Sequence, residues 1–130
     1  MKYFAYALLA VVSLGTCHAQ QYGQHDTTGS EGVILSDLQV KDYSQQALQG
    51  DSAAASKLGQ FFLMARGDRS HAEYWYLIAA ENGSAGAQRS YATMILQDDK
   101  NNKSRAIFWL KRASGNGDAL ATAELERLQR

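Results

Sequence analysis

Few side chains in this chain have the type and spacing that chemistry needs. His71 follows a serine and precedes a glutamate by two residues, but neither His71 nor His25 has a second ligand at metal-binding spacing. Asp98-Asp99 is a carboxylate pair, and it lies in the polar run DDKNNKS, where adjacent aspartates read as solvated turn residues. A divalent cation would need further oxygen donors that the run does not offer. Arg66-Gly67-Asp68 spells a short adhesion tripeptide, and its simpler reading is a glycine ending one helix and an aspartate starting the next. No phosphate-cradling glycine loop, nucleophile elbow or Ser/His/Asp set is present. We therefore expect no catalytic residue, no metal and no cofactor, and look to Trp75 and Trp109 as packing residues before ligand-stacking ones.

These two tryptophans belong to a repeat. Trp75 and Trp109, Ala79 and Ala113, and Asn82-Gly83 and Asn116-Gly117 each stand 34 residues apart. Ala54 and Ala87, and Leu58 and Tyr91, stand 33 apart, and Ala121 and Leu125 open a third partial copy. Self-similarity at this period marks a stack of helix pairs. Glycine followed by Asp or Ser recurs at Gly50-Asp51, Gly83-Ser84 and Gly117-Asp118: the glycine ends one helix and the next residue caps the following one. Ser70-His71-Ala72-Glu73 reads as a capping box at a further helix start. The pattern predicts helices near 35–49, 52–66, 70–82, 85–97, 103–115 and 119–129, with no strand. Apolar stripes at spacings of three and four run through Ala54, Leu58, Phe61, Phe62 and Ala65, then through Ala87, Tyr91, Met94 and Ile95. Ala72, Trp75, Ala79 and Ala80 match Ala106, Trp109 and Ala113 on the second helices.

The start of the chain reads as an address. Lys2, the apolar run from Phe4 to Leu14 and the small residues ending at Ala19 form a signal peptide over residues 1–19, too short to anchor in a bilayer. The competing reading is lipidation of Cys17, the only cysteine; cleavage after Ala19 instead leaves a chain without thiols. Residues 20–33 are polar and Gly-rich and read as a tether, and 34–130 as one helical domain. Charge is balanced at 13 basic and 13 acidic residues, without the basic excess of a nucleic-acid binder. It is uneven: residues 97–112 hold five cations against two aspartates, which can orient a partner.

Ala54, Leu58-Gly59 and Phe62, followed by WYLIAAENG from Trp75 to Gly83, resemble the Sel-one-like repeats, relatives of the tetratricopeptide repeats. The second copy departs from that pattern: Tyr91-Ala92 replaces leucine-glycine, Ile95 the aromatic and Ala113-Ser114 the alanine pair. The resemblance implies an all-α fold, a short right-handed solenoid of about six helices with two full repeats and partial flanking ones. It makes Ala54, Leu58, Gly59, Phe62, Trp75, Ala79, Gly83, Ala87, Tyr91, Trp109, Ala113 and Gly117 scaffold. It also implies that first helices line a concave face, where Ser56, Gln60, Leu63, Arg89, Thr93, Leu96, Gln97 and Arg127 would meet another protein. Arg89 and Arg127 would engage its carboxylates. Small exported members of this kind include immunity proteins that neutralise toxins delivered by rival bacteria, notably through type VI secretion. The expectation is thus an exported, non-enzymatic binding module in the periplasm, its partner a toxin or an envelope component. An envelope scaffold or adaptor, a secreted host-interaction factor and a cell-wall-active enzyme are the alternatives; secreted members proposed as enzymes are rich in cysteine pairs, which this chain lacks.

Overall fold

The computed structural model describes residues 34–130; the expected signal peptide and tether, with Cys17 and His25, lie outside them. All described regular structure is helical, in the order α1 (Asp37–Leu48), α2 (Ser52–Met64), α3 (Arg69–Glu81), α4 (Ala85–Asp98), α5 (Lys103–Gly115) and α6 (Ala119–Gln129). One 3-10 turn, Lys100–Asn102, precedes α5. Each helix packs chiefly on its neighbours in the chain, and α1 also reaches α3, the contact pattern that stacked helix pairs require.

The turns between pairs are built alike. Gly83 and Gly117 adopt φ of +95° and +90°, a region that a Cβ disfavours. Beyond them the chain doubles back: the Ser84 amide donates to the Ala79 carbonyl at 3.0 Å and the Asp118 amide to that of Ala113 at 3.0 Å. The next residue then caps the following helix, as Ser84 accepts from the Ala87 amide and Asp118 from the Ala121 amide. Two local expectations are corrected. Ser70 lies inside α3, and the cap is Asp68, whose carboxylate accepts from the His71 amide at 3.1 Å. A capping box does exist, formed by Ser36 and Gln39 at α1. The second correction is that α2 ends at Met64, which leaves Ala65 exposed beyond the apolar stripe.

The core is continuous and rich in small residues. Ala54, Ala55, Ala72, Ala79, Ala80, Ala87, Ala92, Ala106, Ala113 and Ala121 are buried, with Leu58, Tyr91 and Leu110 among the largest enclosed side chains. Trp75 and Trp109 are 7% and 8% exposed and belong to this core. Gly59 shows why small residues matter here: a Cβ there would meet the Tyr76 ring at 2.8–2.9 Å. Tyr91 meets Trp109 edge-on at 5.8 Å in the second pair. Among the described residues one polar side chain, Gln88, is fully enclosed. It donates to the Ala80 carbonyl at 3.1 Å and accepts from the Asn116 side-chain Nδ2 at 3.1 Å, tying the ends of α3 and α5 to α4.

Trp75→Ala should cost about 3–5 kcal/mol, read as a sharp fall in melting temperature. Gly59→Ala should also destabilise. Overpacking against Tyr76 costs roughly 1–3 kcal/mol, while alanine's helix propensity returns about 1 kcal/mol. Urea titration checks the sign, and a stabilised Gly59→Ala would mean that the ring yields.

Candidate functional site

The first helices α2, α4 and α6 carry the residues expected to face a partner, and lateral bonds join each of these helices to the next. Ser56 on α2 donates its hydroxyl to Ser84, the α4 cap, at 3.2 Å. The repeat-equivalent bond runs from Arg89 on α4 to Asp118, the α6 cap, with Nε at 3.0 and 3.2 Å from the two carboxylate oxygens. The Thr93 hydroxyl lies 3.2 Å from Glu124 on α6 and 3.0 Å from the Arg89 carbonyl. Two positions where the repeat copies differ, Ser against Arg and Ser against Asp, are thus one contact made with two chemistries.

Between α2 and α4 a cleft of about 210 Å³ is lined by Leu63, Arg69, Arg89, Ser90, Thr93, Met94 and Gln97. It brings together Leu63, Arg89, Thr93 and Gln97 of the expected face. Ser56 and Gln60 are half-buried on α2 outside its lining, and Leu96 turns partly into the core. Arg127 is exposed on α6, 3.6 Å from Glu124 on its own helix. Arg69, Ser90 and Met94 join the cleft without having been foreseen. Arg69 opens α3, donates from Nε to Asp98 at 2.8 Å and from a terminal amino group to the Met94 carbonyl at 2.8 Å, and a 3.4 Å contact links it to Gln97. Only the tertiary approach of the α3 start to the α4 end creates this set, so no spacing along the chain announces it.

The two arginines play different parts. Arg69 is spent on α4, including Asp98, which was expected as a solvated turn residue. Arg89 uses only Nε within the protein; among the described residues its two terminal amino groups have no hydrogen-bond partner. Arg89 lines the cleft together with the apolar Leu63 and Met94. The Asp118 side chain paired with Arg89 is 11% exposed. Burial alone would raise its pKa, but the Ala121 amide and the Arg89 guanidinium outweigh that and hold it below the ordinary carboxylate value.

Elsewhere, His71 Nδ1 lies 2.7 Å from Asp68, and the imidazole stacks on Phe62 at 5.0 Å between centroids. The His71 amide bond is the main reason the Asp68 carboxyl is also held low. Cap and stack account for His71; no bond from the neighbouring Ser70 hydroxyl to the imidazole exists among the described residues. A larger opening of about 440 Å³ lies between Asp37, Val40, Phe61, Phe62, Arg66 and Asp68 at the α1 end. No group of three His, Cys, Asp or Glu able to hold a metal occurs among the described residues, and no described helix is long and apolar enough to cross a membrane.

Removing the Arg89 guanidinium should cost roughly 1–3 kcal/mol, because a largely enclosed carboxylate loses its partner. A double-mutant cycle of Arg89→Ala with Asp118→Asn should return a coupling of about 1 kcal/mol. Because Asp118 binds its proton more weakly folded than unfolded, its stabilisation is present above the ordinary carboxylate range and disappears as pH falls through the lower folded-state value. Asp118→Asn should therefore flatten the acid limb of a stability-against-pH curve, and an unchanged limb would assign acid sensitivity to other carboxylates. Compared with known proteins, the chain matches no family model, and no curated protein or solved structure is significantly similar to it.

Proposed function

We propose that this chain is an exported, non-enzymatic protein-binding module that seats a loop or knob of another protein on the face formed by α2, α4 and α6. One observation carries the reading: the polar side chains of that face are fixed by bonds between successive helices before any partner arrives, while the outer amino groups of Arg89 stay available. A surface ordered in advance loses little side-chain freedom on binding, which is where much of the cost of association lies. The cleft is small, so it suits one projecting side chain rather than a drug-sized ligand. A carboxylate on an aliphatic arm fits its chemistry, the arm on Leu63 and Met94 and the acid on Arg89.

The most concrete form of this function is immunity, in which the chain waits in the periplasm and blocks a toxin delivered by a competitor, as in type VI secretion. Size, the leader-like start and the resemblance of the repeat support it. An envelope scaffold or regulatory adaptor would use the same face with a resident partner.

Ser90→Arg together with Gln97→Glu would fill and recharge the cleft while sparing the Arg89–Asp118 and Ser56–Ser84 bonds. A partner captured from the cell envelope by tagged wild-type protein should bind this variant at least tenfold more weakly, with an unchanged melting temperature. Equal binding would remove the cleft from the interface. Deleting the gene should sensitise the cell to neighbouring strains; unaltered survival in competition would leave the scaffold form and end the immunity form.

A further inference from the structure

The second helices α3 and α5 carry a different surface, on which the repeat places one exposed aromatic ring per copy. Tyr74 and Phe108 stand 34 residues apart and are each 51% exposed. Each leans edge-on against the buried tryptophan that follows it, Tyr74 on Trp75 at 5.0 Å and Phe108 on Trp109 at 5.2 Å. Two rings held this way are rigid apolar protrusions with little rotamer freedom to lose on burial.

The charges flanking the two rings are opposite. On α3 the flanking groups are Glu73 and Glu81, and neither has an ion-pair partner among the described residues. On α5 they are Lys103, Arg105, Lys111 and Arg112, also without carboxylate partners among the described residues. The arginines cover aromatic rings instead, Arg105 that of Tyr91 at 5.3 Å and Arg112 those of Phe108 and Trp109 at 5.8 and 5.7 Å. The two sets share one side of the molecule, since α3 and α5 are equivalent helices of the repeat and carry their exposed rings at equivalent positions.

We infer that this face binds a second copy of the chain in a two-fold dimer, α3 of each copy lying on α5 of the other. With the axis parallel to the helices, a residue of α3 faces the residue 34 positions later on the partner's α5, because that offset is the repeat itself. Tyr74 then stacks on Phe108 of the partner subunit, twice by symmetry. Glu73 lies two residues in register from the partner's Arg105, and Glu81 three from the partner's Arg112, each within one helical turn. A surface acidic on one helix and basic on the next at equal register repels itself in any arrangement that places α5 on α5. The two-fold pairing lays the acidic helix of each copy against the basic helix of the other. This surface is separate from the cleft between α2 and α4, so the dimer would present two such clefts.

Sedimentation velocity of the purified protein should show reversible dimerisation with a dissociation constant on the order of 10 µM, weakening as salt rises. Tyr74→Ala with Phe108→Ala should weaken it at least tenfold while leaving the circular dichroism and melting of the monomer unchanged. The deciding measurement uses two reversed variants, Glu73→Lys with Glu81→Lys, and Arg105→Glu with Arg112→Glu. Each alone should be monomeric, and an equimolar mixture should recover the dimer, which misfolding of either could not produce. A wild-type monomer up to roughly 500 µM overturns the inference. So does a dimer indifferent to the loss of both rings, or a pair of reversed variants that fails to associate on mixing.

Discussion

Close approach of helices across alanine and glycine is the constraint on which the other features depend. Gly59 lies so near the Tyr76 ring that even a methyl group would intrude. At the equivalent positions the second pair has Ala92 and Leu110, a slightly larger residue on one helix and a smaller one on the other. The volume traded across the gap is kept roughly constant, as close packing demands. With the pairs held this tightly, the cap of one first helix lies within reach of a side chain in the second turn of the previous one. The Ser56–Ser84 and Arg89–Asp118 bonds are therefore consequences of core packing as much as surface decorations.

Differences between the copies carry more information than their likenesses. Had Arg89 been changed alone, a guanidinium would have faced a serine cap. In fact its partner position changed with it, so the second junction is ionic and the first is neutral. Gln88 follows the same logic in the interior. It replaces the position of Ala55 with a buried amide, an arrangement costly unless every polar atom finds a partner. The Ala80 carbonyl and the Asn116 amide supply those partners, so the second junction is joined by polar bonds both at its surface and within its core.

Much of this was legible in the sequence because the repeat compares the chain with itself. Trp75 with Trp109 and Ala79 with Ala113 reveal the helix pairs, and Gly83-Ser84 marks a turn through residue chemistry alone. At α3 two plausible caps competed. Asp68, next to the helix-ending Gly67, prevails over Ser70 because a carboxylate is the stronger acceptor at a helix start and complements its positive end. The cleft was half legible. Register along α2 and α4 finds Leu63, Arg89, Thr93 and Gln97, whereas Arg69 comes from a second helix whose beginning meets the end of α4 in space alone. The 3-10 turn at Lys100–Asn102 escaped for a related reason: its polar sequence suits any turn, and the Asn102 side chain's bond to the Ile95 carbonyl fixes which one forms.

The two faces of the chain thus handle charge in opposite ways. On the side of α2, α4 and α6, Arg89 answers Asp118, Arg127 answers Glu124 and Arg69 answers Asp98, so the cations there are oriented and largely neutralised from within. On the side of α3 and α5 the acids and bases sit on different helices and find no partner among the described residues. Two repeat-equivalent rings project between them. Internal pairing costs a surface long-range attraction but gives it fixed geometry, which favours recognition of one shape. Unpaired, segregated charge keeps its reach and favours an encounter with a surface of the opposite pattern. Since the repeat sets the acidic and basic helices at one common register, the surface that best carries that opposite pattern is the same one turned about a two-fold axis.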